Sequence, residues 1–145
     1  MPARLALLAV LVLLVAAGAV LRPGPSDAAA LSPAKVCGPG FAVIDQQRVQ
    51  FRGGGLAATA YLLYDNQSGR NCSVTVKRIR RGHRDFMTAF VQRRGGEPRV
   101  DAGRFELYAA PVYVHAPGRC VRFGAKLQVA GRVAGGYSLY GHCGR

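Results

Sequence analysis

A chain of 145 residues has room for one ordinary domain, and its formal net charge of +13 predicts attraction to polyanions. Its four cysteines contain no C-x-x-C pair, which argues against a zinc site and favours a disulfide framework. We therefore expect neither a metal site nor another cofactor.

Residues 1–30 are typical of a secretion signal. Arg4 supplies the positive start, residues 5–21 form an uninterrupted apolar run, and small residues follow it. We predict a signal helix that is cleaved after Ala28 or Ala30, leaving a net charge of about +12 and no membrane segment. The alternative is an uncleaved anchor, because the run is only slightly shorter than the roughly 20 residues of a membrane span.

The exported part, residues 31–145, is predicted to be a single disulfide-stabilised β domain. Glycine and proline divide it into short segments rich in β-branched and aromatic residues, after a flexible lead-in at 31–36. The predicted strands are residues 41–45, 59–64, 71–77, 86–92, 105–108, 112–115, 121–123, 127–132 and 137–140. The expected fold class is all-β, a small antiparallel sandwich or partly open barrel of about seven to nine strands.

Two neighbouring segments differ in their pattern. Residues 59–64 are apolar on both faces, as in a central strand, and residues 65–69 (Asp-Asn-Gln-Ser-Gly) have turn chemistry. Residues 71–77 alternate instead, which predicts a half-buried hairpin strand. Its apolar face carries Cys72, Val74 and Val76, and its polar face carries Ser73, Thr75 and Lys77.

All four cysteines lie in the exported part, where an even count indicates disulfides. Three pairings are possible in principle. We favour Cys37–Cys72 and Cys120–Cys143, because each bond then closes a local loop across neighbouring strands. On the chain-entropy model each bond contributes roughly 3–4 kcal/mol to stability.

The most basic segment is residues 77–84, Lys-Arg-Ile-Arg-Arg-Gly-His-Arg. A cationic loop of this kind can hold an anionic polymer. Specific nucleic-acid binding is not expected, since the aromatic side chains that would stack on bases fall in strand positions that the core needs. The alternative is a solvated hairpin end without a ligand. The predicted polyanion-binding residues are Lys77, Arg78, Arg80, Arg81 and Arg84.

No catalytic constellation stands out in the sequence. There is no Gly-x-Ser-x-Gly motif, and the cysteines are assigned to disulfides, so no serine or cysteine nucleophile is indicated. The six carboxylates of the exported part suggest no evident pair for a glycosidase. Four tyrosines could line a shallow sugar-binding face, although tyrosine on a strand more often packs into the core. They are Tyr108, Tyr113, Tyr137 and Tyr140.

A series of segments, most of them containing a cysteine, is distinctive. They are residues 37–45 (Cys-Gly-Pro-Gly-Phe-Ala-Val-Ile-Asp), 61–65, 68–76, 108–114, 118–124 and 141–144 (Gly-His-Cys-Gly). In order and cysteine content the exported part resembles the spore-associated protein A family of filamentous actinobacteria. The resemblance implies a secreted protein of the spore or cell surface, and it implies no enzyme.

These features predict an extracellular, non-enzymatic structural or binding protein. Its expected partner is the spore or cell envelope, through an anionic wall polymer that retains the protein partly by charge. The alternative is a secreted effector, an antimicrobial or a hydrolase inhibitor, that acts through the basic loop.

Overall fold

The computed structural model describes residues 31–144, so the predicted signal over residues 1–30 lies outside the described residues. The described chain forms one short helix and eight strands. They are α1 (Pro33–Cys37), β1 (Ala42–Phe51), β2 (Leu56–Asp65), β3 (Arg70–Lys77), β4 (Asp85–Arg93), β5 (Arg99–Phe105), β6 (Tyr108–His115), β7 (Val121–Val129) and β8 (Arg132–Tyr137). The predicted all-β class is confirmed, while α1 replaces most of the lead-in that was expected to be flexible.

All eight strands pair in one antiparallel sheet with the order β5-β4-β7-β8-β1-β2-β3-β6. The two edge strands, β5 and β6, follow each other in sequence and lie against each other in space. The sheet is therefore curled into a nearly closed barrel with a seam between β5 and β6. Of the two predicted architectures, the partly open barrel is the one found.

The segment between β4 and β6 differs from its prediction. Residues 105–108 do not form a strand of their own, because β5 ends at Phe105 and β6 begins at Tyr108. Strand β5 itself was not predicted, since its sequence is polar and contains Gly103. Such a composition suits an edge strand, which has one unpaired side and little core to fill.

The last third of the chain also differs. The strands predicted at 121–123 and 127–132 are mostly one strand, β7, which passes through Gly124. Likewise, Gly135 and Gly136 lie within β8 and do not separate two strands. Glycine is needed there for close approach: a Cβ on Gly124 would lie 2.3 Å from the carbonyl oxygen of Gly136. Gly124 and Gly136 therefore allow neighbouring backbones to approach closely.

The barrel interior is filled by apolar side chains from β1, β2, β4 and β7. Its largest fully buried members are Val49, Leu62, Met87, Val91, Val121, Phe123 and Leu127. A second, smaller cluster lies where α1 covers β2 and β3, and it contains Cys37, Leu63, Cys72 and Val74. Strand β2 is therefore buried on both faces, as its sequence predicts.

Strand β3 is not half-buried as predicted, because both of its faces are covered. Cys72 and Val74 pack under α1. The alternate residues Ser73, Thr75 and Lys77 pair across the ladder with the interior residues Leu62, Ala60 and Ala58. They are at most 1% exposed, so the polar face of β3 lines the barrel interior.

Two disulfides fasten the ends of the described chain to the sheet. Cys37–Cys72 joins α1 to β3, and Cys120–Cys143 joins the residue before β7 to the segment after β8. This is the pairing favoured from the sequence. Within residues 31–144, no helix has the length and hydropathy that a membrane span requires.

Candidate functional site

The predicted polyanion site, residues 77–84, connects β3 to β4. Lys77 is the last residue of β3, and Asp85 is the first residue of β4. The connection is an ordered turn in which the His83 amide donates to the Arg80 carbonyl oxygen at 3.0 Å. The amide of Gly82 donates to the carbonyl oxygen of Glu106 at 3.3 Å, which fixes the turn to the β5–β6 connection.

Lys77 does not belong to the predicted surface site. Its side chain is buried, and its Nζ atom donates to the carboxylate of Asp85 and, at 2.6 Å, to the carbonyl oxygen of His83. The run of basic residues suggested a wholly exposed loop. The prediction was wrong for Lys77 because the alternation of β3 directs its side chain toward the interior. From the interior side, the hydrogen bonds of Lys77 to His83 and Asp85 hold the loop in place.

Asp85 is the anionic centre of this turn. Burial disfavours its charged form, but the hydrogen bond and the charge of Lys77, together with the charge of Arg80, outweigh burial and lower the pKa of the Asp85 carboxyl. Arg80 Nε lies 3.4 Å from the same carboxylate. One carboxylate thus anchors both a buried ammonium and an exposed guanidinium.

This lowered pKa predicts acid sensitivity. The Asp85 carboxyl has a higher pKa in the unfolded chain, near the ordinary aspartate value of about 4. Its contribution to stability is therefore fully present well above pH 4 and is lost as the pH falls through its folded pKa. Denaturant unfolding between pH 6 and pH 2 should show that the free energy of unfolding falls with decreasing pH, and that it falls less steeply in Asp85→Asn than in the wild type. Equal slopes for the two proteins would contradict the assignment.

The other arginines of the turn are exposed and differ in how firmly they are held. Arg78 Nε donates to Thr59 Oγ1 at 3.0 Å, and its terminal nitrogen donates to the Tyr61 hydroxyl. Arg84 donates to the carbonyl oxygen of Arg104 at 3.2 Å. Within residues 31–144 Arg81 has no hydrogen-bond or ionic partner. The structure therefore places the four predicted guanidiniums, of Arg78, Arg80, Arg81 and Arg84, on one outer turn.

Further cationic groups, which were not predicted as sites, lie on tyrosine rings. The guanidinium carbons of Arg94 and Arg122 both lie 5.1 Å from the ring centroid of Tyr140. The guanidinium carbon of Arg70 lies 4.4 Å from the ring centroid of Tyr113. No local motif indicated these pairs, because each joins residues far apart in the sequence. Several basic groups thus have fixed positions away from the predicted loop.

The four tyrosines considered for a sugar-binding face do not form one surface. Tyr108 and Tyr113 pack against the cluster under α1, whereas Tyr137 packs on Phe90 with the rings tilted and a centroid separation of 5.6 Å. Tyr140 belongs with the two arginines described above. Each tyrosine therefore has a local packing role.

Comparison with known proteins identifies a similar sequence. Neither a protein-family model nor a solved structure matches the chain. Spore-associated protein A of Streptomyces coelicolor is 37% identical to it over 90 residues, which are 61% of this chain. The match spans 54% of that protein, about half of its length. The predicted resemblance to spore-associated protein A is therefore confirmed, and the two disulfides of the chain fit it.

Proposed function

We propose that the chain is an exported, non-enzymatic binding protein of the spore or cell surface, held on anionic envelope polymers by its arginines. The name of its relative, spore-associated protein A, supports the location. Two disulfides support an oxidising compartment outside the cytoplasm. The proposal assigns the chain no catalytic residue.

The observation that carries this proposal is an excess of exposed arginine over carboxylate on the β3–β4 turn. Asp85, the one carboxylate among residues 77–85, is already shared by Lys77 and Arg80. Within residues 31–144, Arg78, Arg81 and Arg84 form no ion pair. Because positive charge that is not neutralised locally attracts polyanions, this turn supports electrostatic retention.

The test is retention of the purified, oxidised domain on isolated spore and cell envelopes across a salt series. Electrostatic retention should be lost between about 0.1 and 1 M salt, as the screening length falls from roughly 10 to 3 Å. Binding that survives 1 M salt would contradict retention by charge. A failure to bind at any salt concentration would contradict the surface role.

The contribution of the turn can be separated from that of net charge. The variant Arg81→Gln/Arg84→Gln removes two guanidiniums that do not contact Asp85, so the buried pair stays intact. Arg52→Gln/Arg119→Gln removes the same charge at two exposed positions elsewhere. We expect the turn variant to elute at clearly lower salt than the matched control. Equal elution of the two variants would show that retention follows net charge alone.

A further inference from the structure

A cleft of about 630 Å³ lies at one end of the seam between β5 and β6. On one side it is lined by the end of β4, the β4–β5 turn and the start of β5. On the other side lie the end of β6 and the start of β3. Its charged and aromatic lining residues are Arg70, Arg93, Glu97, Arg99, Tyr113 and His115.

The wall formed by β3 and β6 is held in place by several contacts. The hydroxyl of Tyr113 donates to the carbonyl oxygen of Cys37 at 2.8 Å, and its ring packs on Phe41 with a centroid separation of 5.6 Å. Cys37 is in turn bonded to Cys72, the register partner of Tyr113. Arg70 lies over this fixed ring, so its guanidinium has a defined direction at the cleft.

The opposite wall, the β4–β5 turn, is also held by hydrogen bonds. The side-chain amide of Gln92 donates to the Gly96 carbonyl oxygen at 2.7 Å, and Gln92 accepts a bond from Arg122 Nε at 2.7 Å. The Gly96 amide donates to the carbonyl oxygen of Arg93 at 3.0 Å. These bonds hold the backbone of the turn that carries Arg93 and Glu97.

The charges of the cleft are unbalanced. Three guanidiniums line it, of Arg70, Arg93 and Arg99, against the single carboxylate of Glu97. Among residues 31–144 none of these arginines forms an ion pair. The lining residues alone carry an excess of about two positive charges, since the Asp65 carboxylate, on which the charge of Arg70 acts, lies outside the lining. This excess is more than one ligand carboxylate would neutralise, and it matches the charge of a phosphate monoester. The guanidinium fork also fits phosphate oxygens.

We propose that this cleft binds the phosphate group of a phosphorylated sugar or polyol. Its volume exceeds that of a phosphate ion and leaves room for an attached sugar or polyol unit. The volume also falls within the range of pockets that bind small molecules. The Tyr113 face is occupied by Arg70, so the site recognises the anion more than the sugar ring. This inference can be tested separately from the proposed envelope retention, because glucose 6-phosphate is a soluble ligand.

Calorimetric titration of the oxidised domain with glucose 6-phosphate tests the site, with glucose and glucuronate as comparison ligands. We expect saturable binding of one glucose 6-phosphate, no binding of glucose, and binding of glucuronate at least about tenfold weaker. If glucose 6-phosphate does not bind, or if glucuronate binds with equal affinity, the assignment is overturned. A glycerol phosphate oligomer that ends in a phosphate monoester and binds more tightly than glucose 6-phosphate would identify a polymer as the source of the phosphate, and the reverse order would identify a soluble ester.

Charge-matched variants separate a built site from general charge. Arg70→Gln and Arg99→Gln should each weaken glucose 6-phosphate binding by about tenfold or more, since each removes a charge-assisted contact. Arg52→Gln and Arg132→Gln remove the same charge outside the cleft and should leave the affinity within about twofold. Equal losses in all four variants would overturn the proposal. Unchanged unfolding midpoints for the cleft variants would exclude misfolding as the cause.

Discussion

Replacing Asp85 by alanine is expected to lower the free energy of unfolding by about 3–5 kcal/mol, because the buried ammonium of Lys77 loses its counter-charge. Lys77 is 1% exposed and Asp85 is 7% exposed, so water cannot easily take the place of the carboxylate. A domain of this size has a total stability of roughly 5–15 kcal/mol, which makes this a large fraction of the whole. Equilibrium denaturation at pH 7 measures the change.

The double variant Lys77→Met/Asp85→Leu is the control for this prediction. It removes both charges together and leaves apolar side chains of similar size, so it should be more stable than Asp85→Ala. If the stability of Asp85→Ala lies within about 1 kcal/mol of the wild type, the Lys77 ammonium must be solvated without Asp85, which would contradict the buried pair.

Alanine at Gly136 is expected to destabilise the domain by about 3 kcal/mol or more, or to prevent folding, because it would open the contact between β8 and β1. Its Cβ would lie 2.1 Å from the carbonyl oxygen of Arg48 and 3.1 Å from the Cα of Val49. Both are backbone atoms of β1, so no side-chain rotation can relieve the overlap. The measurements are soluble yield and the midpoint of denaturant unfolding.

Gly135→Ala provides a matched control one residue away. A Cβ on Gly135 would meet only the ring of Tyr137, at 3.4 Å, and that ring can move. We expect this variant to lose no more than about 1 kcal/mol. Similar losses at Gly135 and Gly136 would indicate a general requirement for flexibility in β8, contrary to the close approach described here.

Features set by local chemistry could be predicted from the sequence. The turn at 65–69 is one example, since the Asp65 carboxylate accepts bonds from the Ser68 hydroxyl and the Gln67 amide, which lower the pKa of Asp65. Strand β2 is another, because a segment that is apolar on both faces requires cover on both sides. Such patterns depend on neighbours within a few residues.

Features set by distant contacts could not be predicted in this way. The alternation of β3 defines two faces, but only the packing of α1 shows that the apolar face lies outside and the face of Lys77 inside. Gly124 and Gly136 resemble turn residues until β7, β8 and β1 are placed side by side. The cleft could not be predicted from the sequence either, because it brings Arg99 of the edge strand β5 close to Arg70 of β3, which lies next to the other edge strand.

The position of β8 has a consequence for the kinetics of folding. In the sheet order it joins two sets of strands, β5-β4-β7 and β1-β2-β3-β6, yet it is the last strand of the described chain to be synthesised. Until β8 is available, the facing edges of β7 and β1 remain open to incorrect pairing and aggregation. The sheet can therefore be completed only after the other seven strands have been synthesised. We expect this completion to proceed at the slow rates typical of long-range β pairing.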